Sequence, residues 1–122
     1  MDCVFCKIVK GEIPAYKLYE DEKVLAFLDI NPFAPGHTLI IPKEHTLDVM
    51  TIDKETLSYI MDKAKEMAKL VTTKLEAPGF TLIQNNGFVQ EVKHFHLHMI
   101  PKYRKNPLMD VEAVYEKITH EE

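Results

Sequence analysis

The sequence predicts an α+β domain, an antiparallel sheet with one main helix laid across it. Three observations lead there. Five short segments are rich in branched and aromatic residues, as strands are. One long segment, Lys54 to about Leu75, repeats its apolar residues at helical spacing. The connections among the first three strand segments are short, which favours a meander.

Taken in order, a short helix starts near Val4. Tyr16–Glu20 and Lys23–Asp29 read as two strands, turned by Glu20-Asp21-Glu22. Asn31-Pro32-Phe33-Ala34-Pro35-Gly36 carries two prolines and a glycine and is a loop. His37–Pro42 is the third strand, apolar through Leu39, Ile40 and Ile41. Asp53 reads as an N-cap, with Thr56 three residues on. The helix behind it carries Leu57, Ile60, Met61, Ala64, Met67, Ala68 and Val71 on its apolar positions, and both methionines are assigned to the core. Its lysines, Lys63, Lys65, Lys69 and Lys74, are interleaved with Asp62 and Glu66 and read as a solvated face. Pro78-Gly79 stops it. Phe80–Gln84 is the fourth strand, Asn85-Asn86-Gly87 a hairpin-type turn, and His94–Ile100 the fifth strand. Asp110–Lys117 is weakly helical, and Glu121-Glu122 reads as a frayed end.

The chain of 122 residues is one domain's worth. Lys plus Arg is 15 and Asp plus Glu is 19, a net charge of −4 that disfavours general binding to nucleic acid or anionic membrane. The start has an acid at Asp2 and is broken by Lys7, Lys10 and Glu12, unlike a secretory peptide. The longest apolar run, Val24–Leu28, is far too short to span a bilayer. The cytosol is the expected compartment. In a reduced compartment Cys3-x-x-Cys6 points to a metal site or a redox pair rather than a structural disulfide.

The chemistry concentrates in His94-Phe95-His96-Leu97-His98-Met99-Ile100. Side chains alternate along a strand, so the three histidines share one face and Phe95, Leu97 and Met99 the other. Alternate residues lie ~6.6 Å apart at Cα, so three imidazoles can converge on one anion or one metal ion. Two chemistries fit: a catalytic metal held by His-x-His, or a neutral imidazole attacking phosphorus or carbon while its neighbours stabilise the developing charge. Cys3 and Cys6 supply half of a four-ligand zinc site, whose other half needs two of His37, His45, His94, His96, His98 and His120.

These segments resemble the histidine triad (HIT) family, in its bacterial and Hint-like branch. The resemblance runs from about Cys3 to Lys102. It is carried by Phe5-Cys6-Lys7-Ile8 with Gly11-Glu12-Ile13-Pro14, by Tyr19-Glu20-Asp21-Glu22 and by Leu25-Ala26-Phe27-Leu28-Asp29-Ile30. Gly36-His37-Thr38-Leu39-Ile40-Ile41-Pro42-Lys43 with His45, and Gln90-Glu91-Val92 leading into the triad and Ile100-Pro101, complete it. It implies a single HIT domain over 1–122, with the motifs in 3–102 and a short tail at 103–122. It also implies the HIT-like fold, a five-stranded antiparallel sheet with one long helix and a short N-terminal helix.

The activity implied is hydrolysis at the α-phosphate of a purine nucleoside 5′-phosphoramidate or related mixed nucleotide. His96 matches the nucleophile that forms a nucleotidyl-histidine, from which water releases the nucleoside monophosphate. His98 matches a phosphate contact and His37 the histidine on the leaving-group side. Asn85, Gln90 and Glu91 match the polar surround of the phosphate, Asp29 the ribose carboxylate, and Phe5, Ile8, Phe27 and Ile30 the purine slot. Cys3, Cys6, His45 and His94 match a structural zinc site, with no catalytic metal, and the family typically forms homodimers with one continuous sheet. Dinucleoside polyphosphate hydrolysis, nucleotidyl transfer on the same scaffold, and nucleotide binding without turnover are the alternatives. The Asn86–Gln90 loop is shorter than in relatives, and Lys93 stands where an aromatic residue is common, facing away from the triad.

Overall fold

The computed structural model describes residues 3–120. They form α1 (Val4–Val9), β1 (Lys17–Glu20), β2 (Val24–Leu28), β3 (Thr38–Pro42), α2 (Lys54–Leu75), β4 (Gly79–Gln84), β5 (Leu97–Lys102) and α3 (Val111–Thr119), with one 3-10 turn at Gly87–Val89. The expected fraying of Glu121-Glu122 lies outside the described residues. The five strands make one antiparallel sheet in the order β1-β2-β3-β5-β4. The meander of the first three strands and the α+β class are borne out.

Both faces of the sheet are covered. Val24, Ala26, Leu28, Ile40, Leu97 and Met99 pack against α2 and α3. Leu25, Phe27, Leu39 and Ile41 pack against Phe5 and Ile8 of α1. This explains why β2 and β3 read as continuous apolar runs, since each residue in them is buried. α2 buries Ile60, Ala64, Met67, Ala68, Val71 and Leu75, one stripe at 3.6-residue period. Met61 is exposed, against the expectation of core packing, because it stands about 100° round the helix from Ile60. The charged face is solvated and partly self-paired, with Lys63 3.2 Å from Glu66 and 4.5 Å from the Tyr19 ring centroid.

The N-cap on Asp53 is as expected, its carboxylate accepting from the Thr56 amide at 2.9 Å. At the other end Glu76, at φ 55°, turns the chain left-handed so that Ala77 N–H reaches the Thr72 carbonyl. The β1–β2 turn is fixed by Asp21, which accepts from the amides of Lys23 and Val24 and from the hydroxyls of Tyr19 and Tyr59. Burial works against the charge on Asp21, but these donors, led by Tyr59, hold its carboxyl well below the usual carboxylate range.

Two boundaries differ from expectation. β5 begins at Leu97, three residues later than His94, because the His94 carbonyl is taken by the His96 ring and the Phe95 amide by the Thr46 carbonyl. The backbone groups that a ladder would need there are already spent. Asn85-Asn86-Gly87 turns the chain, yet it opens a connection over 85–96 rather than a tight hairpin. Asn86 Oδ1 accepts from the Val49 amide at 2.9 Å and ties that connection to the loop before α2. The weakly helical tail is an ordered α3, capped by Asp110 and burying Val114 and Ile118.

Candidate active site

Strand register places the first of the reactive side chains. His98 lies opposite Leu39 on one side and Ile83 on the other, and Leu39 lies opposite Phe27. His98 therefore shares the sheet face that α1 covers, while Leu97 and Met99 enter the α2 core. The alternation extends back through the irregular segment. His96 stays on the α1 side and Phe95 is buried in the α2 core.

A cavity of about 260 Å³ opens on that face, lined among others by Phe5, Ile8, Phe27, Asp29, His96 and His98. Ile30 and Glu91 line it too, Ile30 from an exposed position. Asn85 and Gln90 are not part of its lining. Gln90 is buried, and its amide donates to the Leu47 carbonyl at 2.6 Å. His37 sits just behind His98.

The hydrogen-bond network assigns the tautomers. His96 Nδ1 lies 2.8 Å from the His94 carbonyl, so it carries the hydrogen and Nε2 keeps a lone pair. The Phe33 amide donates to His37 Nδ1 at 3.2 Å, so the hydrogen of a neutral His37 is on Nε2. That hydrogen goes to His98 Nδ1, 2.9 Å away, which puts the single ring N–H of neutral His98 on Nε2. Burial lowers the His37 pKa, against the opposing pull of the Asp29 carboxylate 3.7 Å from its Nε2. Burial, with His96 and His37 nearby, lowers that of His98 to about 4. Both rings are thus neutral at pH 7. Asp29 holds its own loop with Oδ1, which accepts from the Asn31 amide, and presents Oδ2 towards His37.

Among the described residues, two groups of donors lie close enough together to hold a metal ion. Asp29, His37 and His98 have donor atoms within 4.8 Å of one another, but they could ligate only by giving up the His37–His98 hydrogen bond. Cys3, Cys6, His45 and His94 form the other group. Cys3 Sγ and Cys6 Sγ stand 3.4 and 3.6 Å from His94 Nδ1, and Cys6 Sγ is 3.3 Å from His45 Nδ1. A tetrahedron with Zn–S and Zn–N bonds of ordinary length has S···N edges of ~3.5 Å, and these three S···N distances match it, so the set could hold zinc. His94 Nε2 donates to the Pro42 carbonyl at 2.8 Å, which orients the ring and turns the Nδ1 lone pair to the sulfurs. Both His94 nitrogens are thereby engaged, Nδ1 with the sulfurs and Nε2 with the Pro42 carbonyl.

The family match follows these residues. The HIT domain model matches residues 10–105. The chain belongs to the HIT family. Adenosine 5′-monophosphoramidase HNT1 of Candida albicans is 44% identical to it over 106 residues, 82% of this chain and 70% of that protein. The HIT-like protein of Bartonella henselae has the same fold, with a TM-score of 0.88, 38% identity and coverage of 96% of this chain and 94% of that one. A zinc-bound histidine triad family protein of Mycobacterium smegmatis matches at TM-score 0.84 and 35% identity over 97% of this chain and 94% of that one.

Several contributors to this HIT site escape sequence reasoning. Phe33 acts through its amide and stacks its ring on His37 at 5.4 Å between centroids. Tyr103 donates to the Pro35 carbonyl at 2.6 Å and secures the same loop. Lys93 donates to the Gly87 carbonyl at 2.8 Å, bracing the loop before it. Backbone groups carry most of these contacts, and they leave no trace in residue type.

Proposed function

We propose that this HIT-family hydrolase cleaves purine nucleoside 5′-phosphoramidates or related mixed nucleotides at the α-phosphate, through a nucleotidyl-His96 intermediate. That it is a hydrolase is carried by the family match and by the relative named as an adenosine 5′-monophosphoramidase. The route is carried by one observation, the His96 ring locked with its Nε2 lone pair free beside the cavity. Nε2 attacks phosphorus, the bond to the leaving amine breaks, and the amine departs with a proton from His98 Nε2–H, which the attacking water restores to His98 in the second step. His98 Nε2–H is the donor next to that position, for the phosphate oxygens or the departing group. Water then breaks the P–N bond to His96 and restores the imidazole. Phe5, Ile8 and Phe27 supply the apolar slot for the base, with Ile30 at its edge and Asp29 Oδ2 within reach of a ribose hydroxyl. Of the expected phosphate surround, Glu91 lines this cavity, whereas Asn85 and Gln90 lie outside its lining and both the side-chain and the backbone amide of Gln90 already donate, to the Leu47 and Gly87 carbonyls.

Cys3, Cys6, His45 and His94 would hold a structural zinc, which when bound braces the segment leading into His96 and takes no part in the chemistry. Two copies would pair along β4, an edge strand that exposes Phe80, Leu82 and Ile83. The test is turnover of adenosine 5′-phosphoramidate by wild type and His96→Ala, each with and without metal removal. Wild type should turn over, and the variant should lose roughly 10⁴-fold or more while still binding adenosine monophosphate. Near-normal turnover by His96→Ala would overturn the mechanism. Loss of turnover on metal removal with the fold intact would move the chemistry to a metal.

A further inference from the structure

Two cavities share one wall. A cavity of about 520 Å³ reaches the thiol–imidazole cluster and is lined by Cys3, Val4, His45, Glu91 and Val92 among others. Val4, Glu91 and Val92 also line the cavity of His96. Val4 of α1 and Glu91 and Val92 of the connection before β5 make that wall, and α1, with six residues, is too short for a helix to hold itself together. α1 is kept in place by its cap, the Cys3 sulfur accepting from the Cys6 amide at 3.4 Å, and by its packing on the sheet. Both sulfurs lie against His94, and Cys6 also against His45.

Phe5 joins the two sites through one ring. It meets His94 edge-on at 5.8 Å, His96 at 5.1 Å and Phe27 at 5.7 Å between centroids. It is buried, at 5% exposure. A single side chain thus touches an imidazole of the metal set, the imidazole at the reaction centre and the wall of the base slot.

We propose that Phe5 is a positioning residue through which metal binding at Cys3, Cys6, His45 and His94 and nucleotide binding in the His96 cavity strengthen each other. The proposal rests on the nucleotide and zinc readings above. An ion closing on the four donors fixes residues 3–6 and with them the Phe5 ring. A base entering the slot then meets a wall already ordered, and less freedom is lost on binding. Linkage makes the effect reciprocal, so each ligand must tighten the other by the same factor. The expected factor is about tenfold, within the ordinary range of such couplings.

The experiment measures both halves of the cycle on the full chain. Zinc affinity is taken by competition with a chelator, starting from loaded protein, with and without saturating adenosine monophosphate. Adenosine monophosphate affinity is taken by calorimetry with and without zinc, and circular dichroism reports the fold throughout. Equal factors of about ten are expected, falling towards one in Phe5→Leu, which keeps an apolar side chain but loses the ring that touches both imidazoles. A factor of one in the wild type overturns the proposal. So does an undiminished factor in Phe5→Leu, which is the result if metal removal acts only by general unfolding. Failure to take up zinc, or to bind adenosine monophosphate at all, overturns it together with the particular reading beneath it, and the two failures are separately visible.

Discussion

Tautomers decide what each imidazole can do, and each tautomer here is set by a neighbour rather than by the ring itself. His96 owes its Nε2 lone pair to a backbone carbonyl two residues away. His98 owes its Nε2–H to His37, and His37 owes its orientation to the Phe33 amide. Replacing His37 by Leu keeps the packing and removes the hydrogen that fixes His98. The expected result is a 10- to 100-fold lower kcat, the size of effect that misdirected acid–base groups produce. Ring ¹⁵N spectra should show His98 in mixed tautomers. An unchanged His98 tautomer would refute the relay, whatever the rate.

At the scale of elements, two left-handed residues carry opposite lessons. Gly36, at φ +91°, closes the loop that delivers the Phe33 amide, and a Cβ there would lie 2.7 Å from both Val71 and Leu75 side chains. Gly36→Ala combines backbone strain with overpacking and should destabilise the protein by ~2–4 kcal/mol, read from urea denaturation. Glu76 terminates α2 in the same backbone region without being glycine. Glu76→Gly removes a steric cost of about 1 kcal/mol, so Tm should rise by roughly 3–5 °C. An unchanged or lower Tm would mean that the Glu76 side chain contributes contacts of its own to the helix end.

For the whole molecule, the same burial that suits the histidines to chemistry makes the fold sensitive to acid. An unfolded histidine takes its proton near pH 6.5, whereas His98 in the fold does so only near 4. Between those values the unfolded chain binds more protons, so acid favours unfolding. His37 is shifted in the same direction and adds to the slope. Unfolding free energy should therefore decline from about pH 6.5 towards 4, and His98→Ala should flatten that decline. The Asp21 clamp stays ionised and stabilising through this window, and its contribution is lost only at lower pH, as the carboxylate at last takes a proton. Removing bound metal from the Cys3, Cys6, His45 and His94 set should lower Tm by ~10 °C or more, since the ion would hold α1 to the sheet. A thermal melt with and without chelator checks this.

Periodicity determined much of this protein. It placed the strands to within a few residues, the long helix, the cap on Asp53 and the opposite facing of the histidines and of Phe95, Leu97 and Met99, because burial against one face leaves a repeat in the chain. Motif resemblance brought Cys3, Cys6, His45 and His94 into one group and His37, His96 and His98 into another, and the tertiary structure sets the members of each near one another. Sequence could not place Met61 outside the core, since one residue at the edge of an apolar stripe matches the helical repeat almost as well as its neighbours. Nor could it find the late start of β5 or the twelve-residue connection before it, where backbone groups and not side chains choose the partners. Only the tertiary structure decided which nitrogen of each histidine carries the hydrogen and which surface α1 and Phe5 divide. Those depend on carbonyls, amides and rings brought together from distant parts of the chain, and separation in sequence carries no information about such contacts.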